Sequence, residues 1–493
     1  MRPPISTGLR AATRSIETAL ARATSKVSFG YRSTGTGLRT AANRLRHTDS
    51  RTALKIGGVA VTGGALLALH GDEKTEYAQP PRSGTAADAI AVAEWWNSLA
   101  PEEQQRLLNE EPERIGNLNG IPVEVRDAAN RKVMNADIHR VEDVAKSKGV
   151  SVDQIAKNPK KFGLTADDLT RYHNAVNVRA GLNQYSGPNR ADPGQYPPAP
   201  YPTYLYAYQP LAFGGKGRAA VSIGNPDTAP NTAIVVPGAS QSVRASDASD
   251  KGWFAVQSEQ AQNLYTESNR ADPLHPTAVV AWMGYDSPAD GIAAVLSGDP
   301  TAERKGGNLL ADDVDGLRAT HRGPSHVTVV GYSAGAIVAA DAAAASHLRA
   351  DDMVLLGPVS TDQARNQADF HLDGGGKVYV GKASNDLNAH AGHAWIGGPD
   401  PIGPDYGATR IKAETPESYA SRLGYSGQAH LHYFTAGSES LYATALVTSG
   451  HADRLGAENM LAGHPDPIPL WPDDDPEADR TGIRDDHYHR PPQ

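Results

Sequence analysis

The stretch His326-Val-Thr-Val-Val-Gly-Tyr-Ser-Ala-Gly-Ala-Ile-Val-Ala-Ala340 decides how the chain is read. Its first five residues are mostly β-branched and predict a short buried strand. Gly331-Tyr332-Ser333-Ala334-Gly335 follows at once, and an alanine-rich run of strong helix propensity continues to Leu348. A G-x-S-x-G pattern alone is a weak signal, since it recurs by chance in Gly- and Ser-rich loops. Strand, pattern and helix in immediate succession form the context of a nucleophile elbow. Such a sharp turn strains the backbone of Ser333. Gly331 and Gly335, lacking Cβ atoms, let the neighbouring strand and helix close in. The Ser333 hydroxyl then stands at the top of a sheet beside the positive end of a helix, where a catalytic nucleophile is expected.

Working outward, Tyr204–Tyr208, Ala219–Ile223 and Thr232–Val236 are three closely spaced strand candidates. Ala278–Trp282, Val327–Val330, Met353–Leu356, Lys377–Val380 and a last strand at Ala408–Lys412 follow, with helix-compatible segments between most of them. Strands alternating with helices predict an α/β fold around a mainly parallel, doubly covered sheet. The crowded first strands predict an antiparallel edge.

An α-helical subdomain over residues 85–182 precedes this sheet. Ala87, Ile90, Val92, Trp95, Trp96 and Leu99 form an apolar face, and Pro101 with the acids after it restarts a helix. Arg114 to Arg126 reads as a turn-rich connector, and helices are expected from Val123 to Lys148 and from Asp153 to about Val178. The Trp pair, at helical spacing, is expected in the core. The catalytic domain is placed at residues 183–450. From 451 to 493 the chain is Pro-, Asp- and His-rich and reads as an acidic, disordered tail.

The chain has 493 residues, enough for two or three domains. It has no cysteine, which excludes a thiol nucleophile, disulfides and Cys-ligated zinc. Residues 1–55 carry 11 Lys and Arg against Glu17 and Asp49, so the net charge of −9 divides into +9 there and −18 elsewhere. An acidic catalytic part is not built to bind nucleic acid. Ile56 to Leu69 is uncharged but contains four glycines, and its fourteen residues fall short of the ~20 of a membrane span. A basic stretch flanking an apolar one points to membrane association or export through residues 1–72, with a cytoplasmic chain bearing a flexible extension as the alternative.

A serine hydroxyl is a poor nucleophile at neutral pH and needs a base, itself oriented by an acid. With an elbow, these partners follow in the order serine, acid, histidine. Asp386, just beyond the strand Lys377–Val380, is the candidate acid, with Asp362 as competitor and Asp400 and Asp405 weaker. His390 and His393 follow it too closely to leave room for another strand. The base is therefore sought after Ala408–Lys412, at His430 or, second, His432. An oxyanion needs two preorganised amides. Ala334 offers one, and Ala239, next to Gly238 in Val236-Pro-Gly-Ala-Ser240, offers the other. Tyr332, Tyr285, Asp286 and His432 are candidate pocket residues.

Several stretches together resemble an α/β-hydrolase family widespread in actinobacteria and known as a domain of unknown function. They are Asn117-Leu-Asn-Gly-Ile-Pro122 with Arg126-Asp-Ala-Ala-Asn130, Ala281-Trp-Met-Gly-Tyr-Asp-Ser-Pro288, the Gly331–Gly335 elbow and Ala436-Gly-Ser-Glu-Ser-Leu441. The resemblance covers roughly residues 85–450. Its usual Gly-His-Ser before a Tyr is Ala429-His-Leu-His-Tyr433 here, which favours His430 as base. Gly357-Pro-Val-Ser360 replaces the Gly-Ser-Pro-Gly of many relatives. The resemblance implies a serine hydrolase fold without a settled substrate.

The expectation is a serine hydrolase cleaving a carboxylic ester or related acyl bond of a small-molecule or lipid-like substrate, with no metal or organic cofactor. An acyltransferase with the same triad, or a silent hydrolase-fold binding module at the membrane, is the alternative.

Overall fold

The computed structural model describes residues 85–186, 200–244, 253–288, 299–390, 398–415, 426–465 and 475–478. The basic leader, the apolar run and His393 lie outside them. No helix among the described residues is long and apolar enough to cross a membrane.

Eight strands form one mixed sheet: β1 (Thr203–Gln209), β2 (Arg218–Ile223), β3 (Asn231–Val236), β4 (Thr277–Met283), β5 (His326–Tyr332), β6 (Asp352–Leu356), β7 (Val378–Gly381) and β8 (Thr409–Arg410). Their order across the sheet is β1-β2-β4-β3-β5-β6-β7-β8. β1 and β2 run antiparallel at one edge and the others run parallel. β3 is buried throughout and β5 nearly so, as their β-branched runs require for strands covered on both faces. From β3 the chain crosses through helix Trp253–Ala271 to β4 on one side; from β5 it crosses through helix Ala334–Ser346 to β6 on the other. Right-handed crossovers in opposite directions lie on opposite faces. The direction reverses between β3 and β5, and in an open α/β sheet ligands bind at the carboxyl ends of the strands beside such a reversal.

The helical region belongs to the same compact unit, Ala78–Gln493. Its helices α1 (Ala86–Ser98), α2 (Pro101–Glu110), α3 (Val123–Lys148) and α4 (Ala166–Tyr185) are followed by α5 (Trp253–Ala271), α6 (Thr301–Thr320), α7 (Ala334–Ser346) and α8 (Glu439–Thr448) around the sheet. Trp95 and Trp96 pack with Leu107, Ile115 and Ile121 in a satellite core, while Met134, Ile138, Val178 and Leu182 join the main core. The helix expected from Asp153 to about Val178 is broken instead. Pro159 has no amide to donate and opens a short 3-10 turn ending at Gly163, and α4 restarts behind the capping box of Thr165 and Asp168.

The Asn117 and Arg126–Asn130 stretches have a structural task at the free edge of β1. The Asn117 side chain accepts from the Tyr208 amide and donates to its carbonyl, both at 3.0 Å. Arg126, fully buried with its guanidinium 3.7 Å from the Tyr206 ring centroid, donates to the Tyr206 carbonyl at 2.8 Å. Asn130 donates to the Leu205 carbonyl at 2.9 Å and Asp127 accepts from the Leu205 amide at 2.6 Å. Arg131 reaches the Thr203 carbonyl at 3.0 Å. Side chains of α3 and its preceding turn thus satisfy a strand edge that would otherwise stay unpaired.

Among the described residues, packing continues past 450 through 451–465 and 475–478, within the stretch that the sequence reads as a tail. A short helix at Arg454–Ala457 follows, Ile411 bridges Leu461, and Asp475 is paired with Arg410 in the interior. Acidic composition hid this, because an aspartate inside a matched ion pair looks in sequence like one in a solvated run.

Candidate active site

Ser333 sits one residue past β5 with φ 57° and ψ −124°, a strained conformation for a residue with a side chain. Its amide donates to the Leu356 carbonyl at 3.0 Å, which fixes the turn. As N-cap of α7 it makes no side-chain capping bond, and its hydroxyl donates instead to His430 Nε2 at 2.8 Å. His430 Nδ1 donates to Asp386 Oδ2 at 2.7 Å. Asp386 follows β7, and His430 lies in a 3-10 turn at Ala429–Leu431. The elbow, acid and base candidates therefore meet across residues 333, 386 and 430.

Asp386 is fully buried. Burial alone would push its carboxyl up. The His430 charge and hydrogen bond, the Tyr433 phenol and the Ala389 amide outweigh that effect and hold it below the usual carboxylate range. The other Asp386 oxygen accepts from the Asn388 and Ala389 amides, each at 3.0 Å. The competing acids are engaged elsewhere: Asp362 takes Arg304 at 2.7 Å, and Asp400 takes buried Lys382 at 2.6 Å. Asp405 lies in the separate 3-10 turn Pro404–Tyr406. His432 caps the His430 turn and is buried, which pushes its imidazole below the usual value.

The loop after β3 passes directly under the nucleophile. A methyl group on Gly238 would lie 2.8 Å from Ser333 Cβ and 3.2 Å from its Oγ, so only glycine fits. Among the described residues, the Ala239 and Ala334 amides donate to no protein acceptor. The loop after β4 splints this one. Tyr285 donates its hydroxyl to the Pro237 carbonyl at 2.9 Å, and Ser287 donates to the Gly238 carbonyl at 3.1 Å. Two expectations change here. Tyr285 is buried support beneath the loop after β3, and Asp286 turns outward to Lys216 at 2.6 Å. Tyr332 is 6% exposed, much as Ser333 and His430 are at 5%. It lies under His430 and donates to that residue's carbonyl at 2.6 Å.

Sequence reasoning missed Gly357, Tyr433 and Ser287. Gly357, at the tip of β6, has φ 52°. A Cβ there would lie 2.6 Å from Tyr433 Cε2, 3.1 Å from Asp386 Oδ2 and 3.2 Å from His430 Cε1. Gly357→Ala should therefore spread the acid and base, lowering kcat about 10²-fold and stability by about 1–3 kcal/mol. Turnover of an activated ester alongside a urea melt measures both. The departure at Gly357-Pro-Val-Ser360 was the available signal. Among the described residues no group of three or more His, Asp or Glu is placed to hold a metal ion.

A family model described as alpha/beta hydrolase matches residues 214–394. Two uncharacterized proteins of Mycobacterium tuberculosis, from two strains, are each 44% identical over 408 residues, covering 78% of this chain and 59% of the relative. The chain thus spans well under two thirds of those relatives. Among solved structures, a hyperthermophilic esterase from Pyrobaculum calidifontis is 12% identical with a TM-score of 0.30, over 60% of this chain and 95% of that one. A lidless α/β serine hydrolase from Xanthomonas campestris is 16% identical with a TM-score of 0.27, over 48% and 89%. Likeness that low adds nothing to what the sheet order itself says. The family match runs from the turn before β2 to beyond Asp386, taking in the switch between β3 and β5 and the elbow, so over residues 214–394 the chain is similar to the α/β-hydrolase family, and over most of its length it is similar to these mycobacterial proteins.

Proposed function

We propose that the chain is a serine hydrolase that cleaves a carboxylic ester, or a related acyl bond, through an acyl-enzyme on Ser333. The observation that carries the reading is the continuous relay from Ser333 Oγ to His430 at 2.8 Å and on to Asp386 at 2.7 Å. In this mechanism His430 Nε2 takes the hydroxyl proton as Oγ attacks the acyl carbon. Asp386 fixes the tautomer and stabilises the imidazolium. The carbonyl oxygen, now an oxyanion, accepts from the Ala334 and Ala239 amides, whose protein acceptors are absent among the described residues. His430 then returns the proton to the departing alkoxide. Water deprotonated by the same imidazole attacks the acyl-enzyme, releases the carboxylic acid and restores Ser333.

A fluorophosphonate probe, which phosphonylates activated serines, is the direct test. Labelling of the full chain and its loss in Ser333→Ala is the expected result, with turnover of short p-nitrophenyl esters lost in parallel. A chain that is never labelled, or that stays labelled after the substitution, would overturn the reading in favour of a silent binding module.

A further inference from the structure

Beneath the relay lies a contact that the serine mechanism does not itself require. Tyr433 donates its hydroxyl to Asp386 Oδ2 at 2.7 Å, the same oxygen that receives His430 Nδ1, and accepts from the Ala383 amide at 3.0 Å. The ring is buried, edge-on to His430 at a centroid distance of 6.3 Å and tilted against Tyr332 at 6.2 Å. Tyr332 in turn donates to the His430 carbonyl at 2.6 Å. Two buried phenols therefore hold the acid by its side chain and the base by its main chain.

We infer that Tyr433 is a positioning residue that fixes the Asp386 carboxylate and moderates its pull on His430; this rests on the serine-hydrolase reading above. The physical reason is that one carboxylate oxygen shares its charge between two donors. A phenol that cannot leave, pinned by the Ala383 amide and the surrounding rings, keeps that oxygen aimed and draws off part of its charge. Burial, and then the adjacent Asp386 charge, push the Tyr433 hydroxyl well above its ordinary range, so it remains a donor wherever the enzyme works. The other titratable groups acting on this cluster are Tyr332 from β5, His390 one turn past the acid, and Glu414 from the segment after β8. Burial pushes His390 down to about 4 and Glu414 up to about 7.

Tyr433→Phe keeps the ring and removes the hydroxyl. Without it, Asp386 Oδ2 directs all its charge at the imidazolium. The acidic limb of the kcat/KM profile should then move up by about 0.5–1 pH unit. The looser carboxylate should lower kcat about tenfold with KM unchanged. A structural role alone would lower the melting temperature without moving the limb. In the Asp386→Asn background the charge is gone, so adding Tyr433→Phe should slow fluorophosphonate inactivation no more than about twofold. A limb that stays put, or losses that multiply in the double variant, would overturn the inference. A wild-type chain that resists the probe would instead overturn the hydrolase reading, and this inference with it.

Discussion

His430→Ala is expected to lower kcat for ester hydrolysis by about 10⁴–10⁶, while His432→Ala leaves it within about tenfold. The two histidines are two positions apart and both buried, so general damage would affect both variants. Only His430 has Nε2 at 2.8 Å from Ser333 Oγ and Nδ1 at 2.7 Å from Asp386. Without a base the hydroxyl stays protonated and attacks poorly. What survives should come from the oxyanion amides and from binding, which operate without proton transfer. Asp386→Asn should cost about 10⁴, since the neutral amide cannot stabilise the imidazolium and its NH2 can donate to Nδ1, holding the wrong tautomer. Initial rates on an activated ester, corrected for folded fraction, check all three. Equal losses at 430 and 432, or a larger loss at 432, would remove His430 as the base.

Asp475→Ala should produce the largest fall in stability, about 3–5 kcal/mol. Arg410 Nη2 donates to both Asp475 oxygens, at 2.9 and 2.7 Å, and each side chain is only 1% exposed. Removing the carboxylate leaves a guanidinium charge in the interior with two main-chain acceptors, the Gly463 carbonyl at 2.6 Å and the Lys382 carbonyl at a weaker 3.4 Å. The urea midpoint should fall while the slope stays near that of the wild type. Replacing both partners, as Arg410→Met with Asp475→Leu, should recover much of the loss, because the penalty lies in the unpaired charge rather than in the missing attraction. A single-variant loss below about 1 kcal/mol would mean the pair is solvated, as for surface ion pairs.

The order of the elements was legible because each depends on local sequence. The β-branched runs of β3 and β5, the Ala-rich helix behind Ser333 and the turn chemistry around Asp386 lie within a few neighbours of one another. The Ala429–Tyr433 pattern also separated His430 from His432. Side-chain direction was harder to read. Tyr332 ends a strand covered on both faces, so alternation gave no clue that its ring lies under His430. Tyr285 and Asp286 are adjacent, yet one holds the loop after β3 and the other pairs with Lys216 at the surface. Gly357, Tyr433 and Asp475 matter through partners far along the chain, which no local pattern records.

The Asn117 and Arg126–Arg131 side chains take the place of a ninth strand. Six main-chain groups of β1, from Thr203 to Tyr208, bond to them rather than to another polypeptide. A catalytic fragment cut at residue 183 would keep its relay and lose this lining. It would present a row of open donors and acceptors to the next molecule in solution. The helical preface therefore shields this edge, and a fragment begun at the sheet itself should aggregate more readily than one that keeps residues 117–131.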